Sequence, residues 1–202
     1  MIKTYYTNID NISFTELNIE KISPDRQKRI SKLLQETPKK QCLVAGLLLQ
    51  KFFPDKEVKI SKYGKPYIEN DFQFNIAHSN KYVIISVSNT EPVGCDIEQI
   101  GDYDYLKLGK VVFHKKEMES LKNSPNQKET FFDLWTKKEA FLKCLGTGFH
   151  LKSKNIDLSQ NKHYVVYENQ KYRFKEYMLD GYKIMLCSPS AQFAPELKEI
   201  TF

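Results

Sequence analysis

The residues able to do chemistry in this sequence are three carboxylates and the lysines beside them. Asp96 and Glu98 lie two apart in "VGCDIEQI", and Glu139 lies in "LWTKKEAFLKCLGTGF", residues 134–149, close to Lys138 and Lys143. On a strand, Asp96 and Glu98 point to one face, about 6.5 Å apart along the chain. Two acids on one face repel each other unless a cation lies between them. Mg2+ is typically held by one or two carboxylates, with phosphate oxygens and water completing its shell. Glu139 adds a third carboxylate, and the lysines add counter-charges for a phosphate. The bland alternatives are a solvated strand end for the D-x-E pair and an i,i+4 Glu139–Lys143 pair on a helix rim, worth only ~0.2–0.5 kcal/mol.

The elements that must position these groups follow from periodicity. At helical spacing Trp135, Glu139, Leu142 and Lys143 share one stripe, and Phe131, Leu134, Phe141 and Leu145 the next, so the charged groups are expected at the edge of an apolar face. Trp135 reads as core packing rather than a platform for a ligand. Upstream, Ser23 and Pro24 suit the N-cap and first turn of a helix over "SPDRQKRISKLLQ". Pro38 is expected to open a second, more apolar helix, "KKQCLVAGLLLQKFF". Residues 56–100 break into short β-rich runs, and helical periodicity returns over about 103–145. The last third alternates as strands, with turns at Glu168-Asn169-Gln170 and Asp180-Gly181. Helices then strands, twice over, predict an α+β protein of two similar halves, 1–100 and 101–202, with a site in the cleft between them.

A length of 202 residues with 41% hydrophobic and 13% aromatic residues suits an ordinary globular core. Cys42, Cys95, Cys144 and Cys187 are too scattered for a zinc site or a disulfide framework, and read as free thiols of a reducing cytosol. The opening "MIKTYYTNID" lacks the apolar run of a signal peptide, and no segment approaches the ~20 residues of a membrane span. A soluble cytoplasmic protein is expected. The formal charge of +6 suits an acidic partner or a phosphorylated ligand.

The ordered set "GKP", "FNIAHS", "VGCDIE", "FHKKE" and "WTKKEAFLKCLGTGF" resembles the surfactin-type 4′-phosphopantetheinyl transferases, from about Ser23 to Phe149. The resemblance implies a pseudo-twofold α+β monomer with Mg2+ and coenzyme A between its halves. It also implies Asp96, Glu98 and Glu139 as magnesium ligands and Lys143 on the coenzyme A diphosphate. Lys138 matches the lysine that precedes the family's glutamate. By the same resemblance His78 contacts a coenzyme A phosphate, and Lys65, Arg26 and Arg29 lie near the nucleotide end. Glu117 matches a family acid, although its mid-helix position also fits a surface residue. Two positions depart from the pattern: Ala77 replaces a serine and Gln41 an arginine, each omitting a phosphate donor, with Lys39 and Lys40 near enough in sequence to compensate.

The expected reaction moves the 4′-phosphopantetheine arm of coenzyme A to a serine of an acidic apo acyl or peptidyl carrier protein and releases adenosine 3′,5′-bisphosphate. Glu139, a water on the ion, or Lys138 would take the serine proton. The same acids and lysines leave two other readings: a metal-dependent nucleotide phosphohydrolase, or a non-catalytic basic module that binds nucleic acid. Against the last stands Glu139, a repulsive charge beside a phosphate backbone unless a metal screens it. No nucleic acid or membrane partner is therefore expected.

Overall fold

The computed structural model describes residues 1–69, 72–148 and 152–202, the side chains of 16 and 17 excepted. It shows a mixed α+β fold built on two four-stranded sheets. In the first, β1 (Lys3–Asn8), β4 (Gln73–Ser79), β5 (Tyr82–Ser88) and β10 (Lys198–Glu199) run in the order β10-β1-β5-β4. In the second, β6 (Gly94–Gln99), β7 (Tyr164–Tyr167), β8 (Gln170–Leu179) and β9 (Tyr182–Ser188) run in the order β6-β9-β8-β7. β1 and β10 are parallel, and the other pairs in these sheets are antiparallel. The chain thus changes sheets between β5 and β6, and its last strand returns to the first sheet.

The expected turns carry the backbone that tight hairpins need. Glu168 and Asn169 have φ of 49° and 63°, and Asp180 and Gly181 have 46° and 79°. "VKISKYG" and "KPYIE" form only a two-residue ladder, β2 (Lys59–Ile60) with β3 (Pro66–Tyr67).

The helix α2 (Pro24–Ser31) follows Ser23 as expected, after the short α1 (Glu16–Glu20). The next, α3 (Glu36–Phe52), begins two residues before Pro38, because a proline fits anywhere in a first turn whose amides lack helical partners. Its unbroken buried run Gln41–Leu49 packs on the first sheet with Phe74, Val83 and Ile85. Residues 103–145 form α4 (Tyr105–Val112), α5 (Lys115–Asn123) and α6 (Gln127–Leu145).

Burial on α6 differs from the expected rim. Lys137 and Lys138 are 5% and 0% exposed, because the second sheet covers one side of the helix and α4 with α5 cover another. A helix covered on most sides has no solvated stripe to offer. No helix among the described residues is long and apolar enough to cross a membrane.

Candidate active site

The approach of α6 to β6 creates the site. A Cβ built on Gly94 would overlap the backbone of Ala140 and Cys144, so only glycine lets helix and strand touch there. That contact sets Glu139 and Lys143 beside Asp96. Strand alternation does the rest: Cys95 and Ile97 enter an apolar cluster, while Asp96 and Glu98 face the other way. Gly146, with φ 72°, ends α6 in the left-handed conformation just beyond Lys143.

The three acids have unequal surroundings. Asp96 is 3% exposed; its Oδ1 accepts a 2.6 Å bond from Lys143 Nζ, and its Oδ2 has no partner. Glu139 Oε1 is also buried without a partner. Glu98 is fully engaged, since Trp135 Nε1 donates to one oxygen and Ser79 Oγ to the other, both at 3.2 Å. Burial raises the pKa of all three, and Lys143 opposes the rise at each. Glu98 is pushed up to about 7, by burial first and by Asp96 second. Burial disfavours the charge on Lys143, but the charge and hydrogen bond of Asp96 outweigh it and raise the lysine.

Residues that sequence reasoning missed hold this arrangement. β4 and β6 lie side by side at the seam between the sheets, joined through side chains. Cys95 N donates to Asn75 Oδ1 at 2.9 Å, Gln99 N to Ser79 Oγ at 3.1 Å, and Asn80 Nδ2 to Gln99 Oε1 at 2.9 Å. Ser79 was visible only as the end of "FNIAHS", and nothing in that run shows that it would reach Glu98. Trp135 does pack, stacked on Phe131 at 5.5 Å between ring centroids, yet its indole N–H is also committed to the site.

Two adjoining hollows, sharing Pro66 and Ile76, form a cleft that Lys143 of this centre borders. One, of about 240 Å3, is lined by Arg26, Arg29, Gln41 and His78. The other, of about 220 Å3, is lined by Lys65, Asn75, Lys143 and Gly146. Arg26 is anchored by a 3.3 Å bond to Cys42 O, whereas Arg29 is exposed, so only one of the two is an ordinary solvated helix residue. Burial, then Lys143 and Arg29, lower the His78 pKa, which favours a neutral ring.

Several expected residues lie elsewhere. Lys65 sits at the Lys143 end and not with the arginines, donating to Val93 O and Cys144 O at 3.3 Å, because its hairpin folds over the end of α6. Lys138 points away from the acids, and its three donors are spent on Glu117, Ser153 O and Ile156 O. That corrects the expectation of Lys138 as a base or a counter-charge: a buried ammonium with every donor engaged has nothing to offer a substrate. Glu117 is 0% exposed, not a surface residue. Ala77 packs in the apolar cluster with Ile84 and Ile97 and does not border the cleft. Gln41 does border it, with its amide donating to Asn80 O at 2.8 Å. Lys39 and Lys40 line neither hollow, and Lys40 pairs with Glu36 at 3.0 Å. Residue 149, the last of the α6 motif, lies outside the described residues.

Donor chemistry at the acids suits a hard divalent cation. The available ligands are carboxylate oxygens, and two are buried with no partner, which is costly unless something charged or hydrogen-bonding meets them. Among the described residues no three acidic, histidine or cysteine side chains are already gathered into a cage, and Lys143 provides the positive charge at Asp96.

Comparison with known proteins identifies the family. Residues 92–187, which contain β6, α6 and all but the last residue of β9, match the model of the 4′-phosphopantetheinyl transferase superfamily. The 4′-phosphopantetheinyl transferase gsp of Aneurinibacillus migulanus is 31% identical over 182 residues, 83% of this chain and 76% of that protein. The chain belongs to the 4′-phosphopantetheinyl transferase superfamily. The 4′-phosphopantetheinyl transferase Sfp of Bacillus subtilis is 27% identical, over 90% of this chain and 88% of its own length. The L-aminoadipate-semialdehyde dehydrogenase-phosphopantetheinyl transferase of Mus musculus is 26% identical over 71% of this chain and 55% of its own. None of these relatives supports a phosphohydrolase or a nucleic-acid-binding module.

Proposed function

We propose that this transferase moves the 4′-phosphopantetheine arm of coenzyme A to a serine hydroxyl of an acidic apo acyl or peptidyl carrier protein. The observation that carries the reading is a pair of partnerless buried carboxylate oxygens, on Asp96 and Glu139, beside Lys143, which borders a cleft that also holds Arg26, Arg29, Lys65 and His78. In the reaction the serine oxygen forms a bond to the phosphorus that bears the pantetheine. The P–O bond of the diphosphate breaks, and adenosine 3′,5′-bisphosphate leaves with the electron pair. Charge on the non-bridging oxygens and on the departing phosphate must be met by fixed cations.

Asp96, Glu98 and Glu139 would hold Mg2+, which when bound neutralises charge across the diphosphate. Lys143 would exchange Asp96 for a diphosphate oxygen. Arg26, Arg29 and His78 would receive the nucleotide end, and Lys65, fixed at the opposite end, would keep the hairpin closed over α6. Glu139, or a water on the ion, would take the serine proton. The two halves are taken as 1–100 and 101–202, with β6 and β10 crossing between them. A cytoplasmic monomer fits free thiols and a coenzyme A donor.

Mass spectrometry tests the proposal. The full chain with Mg2+, coenzyme A and an apo carrier protein should add one phosphopantetheine to the carrier serine. Coenzyme A cleaved by water with the carrier unmodified would replace the proposal with hydrolysis.

A further inference from the structure

A hollow of about 430 Å3 lies apart from the cleft. It opens between the first half of α6, strands β8 and β9, and residues 158–163, and its size is that of a small-molecule pocket. Leu134, Leu158, Phe174 and Met185 give it an apolar floor. On α6 the pocket residues Asp133, Leu134 and Lys137 face away from the stripe of Trp135, Glu139 and Lys143, so the two sites use different sides of one helix.

Lys137 is the unusual group in this lining. It is 5% exposed and donates to Leu158 O at 2.6 Å and Asn161 O at 2.5 Å, with its Nζ 4.8 Å from the centre of the Phe174 ring. An ammonium has three donors, and two are accounted for. Carbonyls and a ring satisfy a cation only in part, and the charges of Glu117 and Asp157 act on it without pairing directly. Its neighbour Lys138 has already taken Glu117. No acid among the described residues forms an ion pair with Lys137 or with Lys162 at the rim. Burial accordingly pushes the Lys137 ammonium down to about 8. Across the pocket, Asp133 and Glu176 share a single lysine, Lys183. That acidic edge opposes negative charge on its own side and leaves it to be held at the Lys137 side, where Lys162 and His163 also line the pocket.

We propose that this hollow is a second ligand site for a small amphipathic carboxylate, its head on Lys137 and its hydrocarbon body on Leu134, Leu158, Phe174 and Met185. The site is independent of the transfer reaction and does not rest on it.

Octanoate is a suitable probe, titrated calorimetrically into the full chain. One equivalent should bind, and Lys137→Met should weaken binding about tenfold or more, the loss expected for a charge-assisted hydrogen bond. His78→Ala, in the cleft, should leave octanoate affinity unchanged, and inorganic phosphate should not compete. Intermolecular NOEs from the octanoate methylenes to the Leu134 and Leu158 methyls test the site without any substitution, should Lys137→Met fail to fold. Absence of binding to the wild-type chain would overturn the proposal. So would affinity that survives in folded Lys137→Met, affinity lost in His78→Ala, displacement by phosphate, or NOEs to Ile76 of the cleft.

Discussion

Two lysine–carboxylate pairs have their lysines on α6, five residues apart, and they serve opposite ends. In the Glu117–Lys138 pair both side chains are fully buried and every polar atom is answered. Glu117 accepts from His114 N, Leu158 N and Lys138 Nζ, and Lys138 donates to Glu117 and two carbonyls. In the Asp96–Lys143 pair the lysine side chain is 29% exposed, and the acid keeps a buried oxygen with no partner. The first pair ties α5, α6 and residues 153–158 together. The second is incomplete, and incompleteness at a buried carboxylate is what a site for a charged ligand requires. Satisfaction of hydrogen bonds, not the presence of charge, separates the structural pair from the proposed catalytic one.

Breaking the closed pair should give the largest effect. Lys138→Met leaves Glu117 buried and unpaired, and should cost about 3–5 kcal/mol in urea unfolding, with Mg2+ giving no recovery. A stable Lys138→Met protein would erase the distinction drawn between the pairs. Next comes Glu139→Gln, which removes charge at the open site without leaving a partner stranded. Turnover with coenzyme A should fall on the order of 10²-fold or more while the urea midpoint holds or rises. Full activity would remove Glu139 from the mechanism.

Lys143→Met sharpens the contrast. Because Asp96 is buried, this is no exposed helical pair, and loss of Lys143 should lower both turnover and melting temperature. Millimolar Mg2+ should restore much of the lost melting temperature by replacing the missing cation at Asp96, which it cannot do for Lys138→Met. Equal behaviour of the two variants towards Mg2+ would show that Asp96 holds no metal. A smaller change is expected from Trp135→Phe, which keeps the stack on Phe131 but withdraws one donor from Glu98. A loss of turnover of about 5- to 10-fold, corresponding to roughly 1–1.4 kcal/mol, should appear in initial rates at saturating coenzyme A. The smallest effect concerns Ala77→Ser. Since Ala77 packs in an apolar cluster, calorimetry should show no gain in coenzyme A affinity, and tighter binding would mean that this residue borders the cleft after all.

Much of the fold was legible because its signals are local. Hairpin turns at 168–170 and 180–181, the Ser23-Pro24 start of α2 and the β-rich runs that form β4, β5 and β9 follow from backbone preferences within a few residues. The end of α3 nearest Pro38 was misjudged because a first turn tolerates proline at more than one position.

The sequence by itself determined which groups could do chemistry and, through alternation, that Asp96 and Glu98 share a face. Helical periodicity likewise put Glu139 and Lys143 on one stripe with Trp135. What it could not determine was which charges meet. Lys138 and Lys143 look alike in "KKEAFLK", and only the positions of Glu117 and Asp96, carried there by α5 and β6, make one a sealed brace and the other an open cation. The same holds for Ser79 and Trp135, whose bonds to Glu98 cross from another strand and from a helix. Periodicity describes how a segment presents its own side chains. The partner each one finds depends on long-range packing, here on the backbone contact that Gly94 permits between β6 and α6.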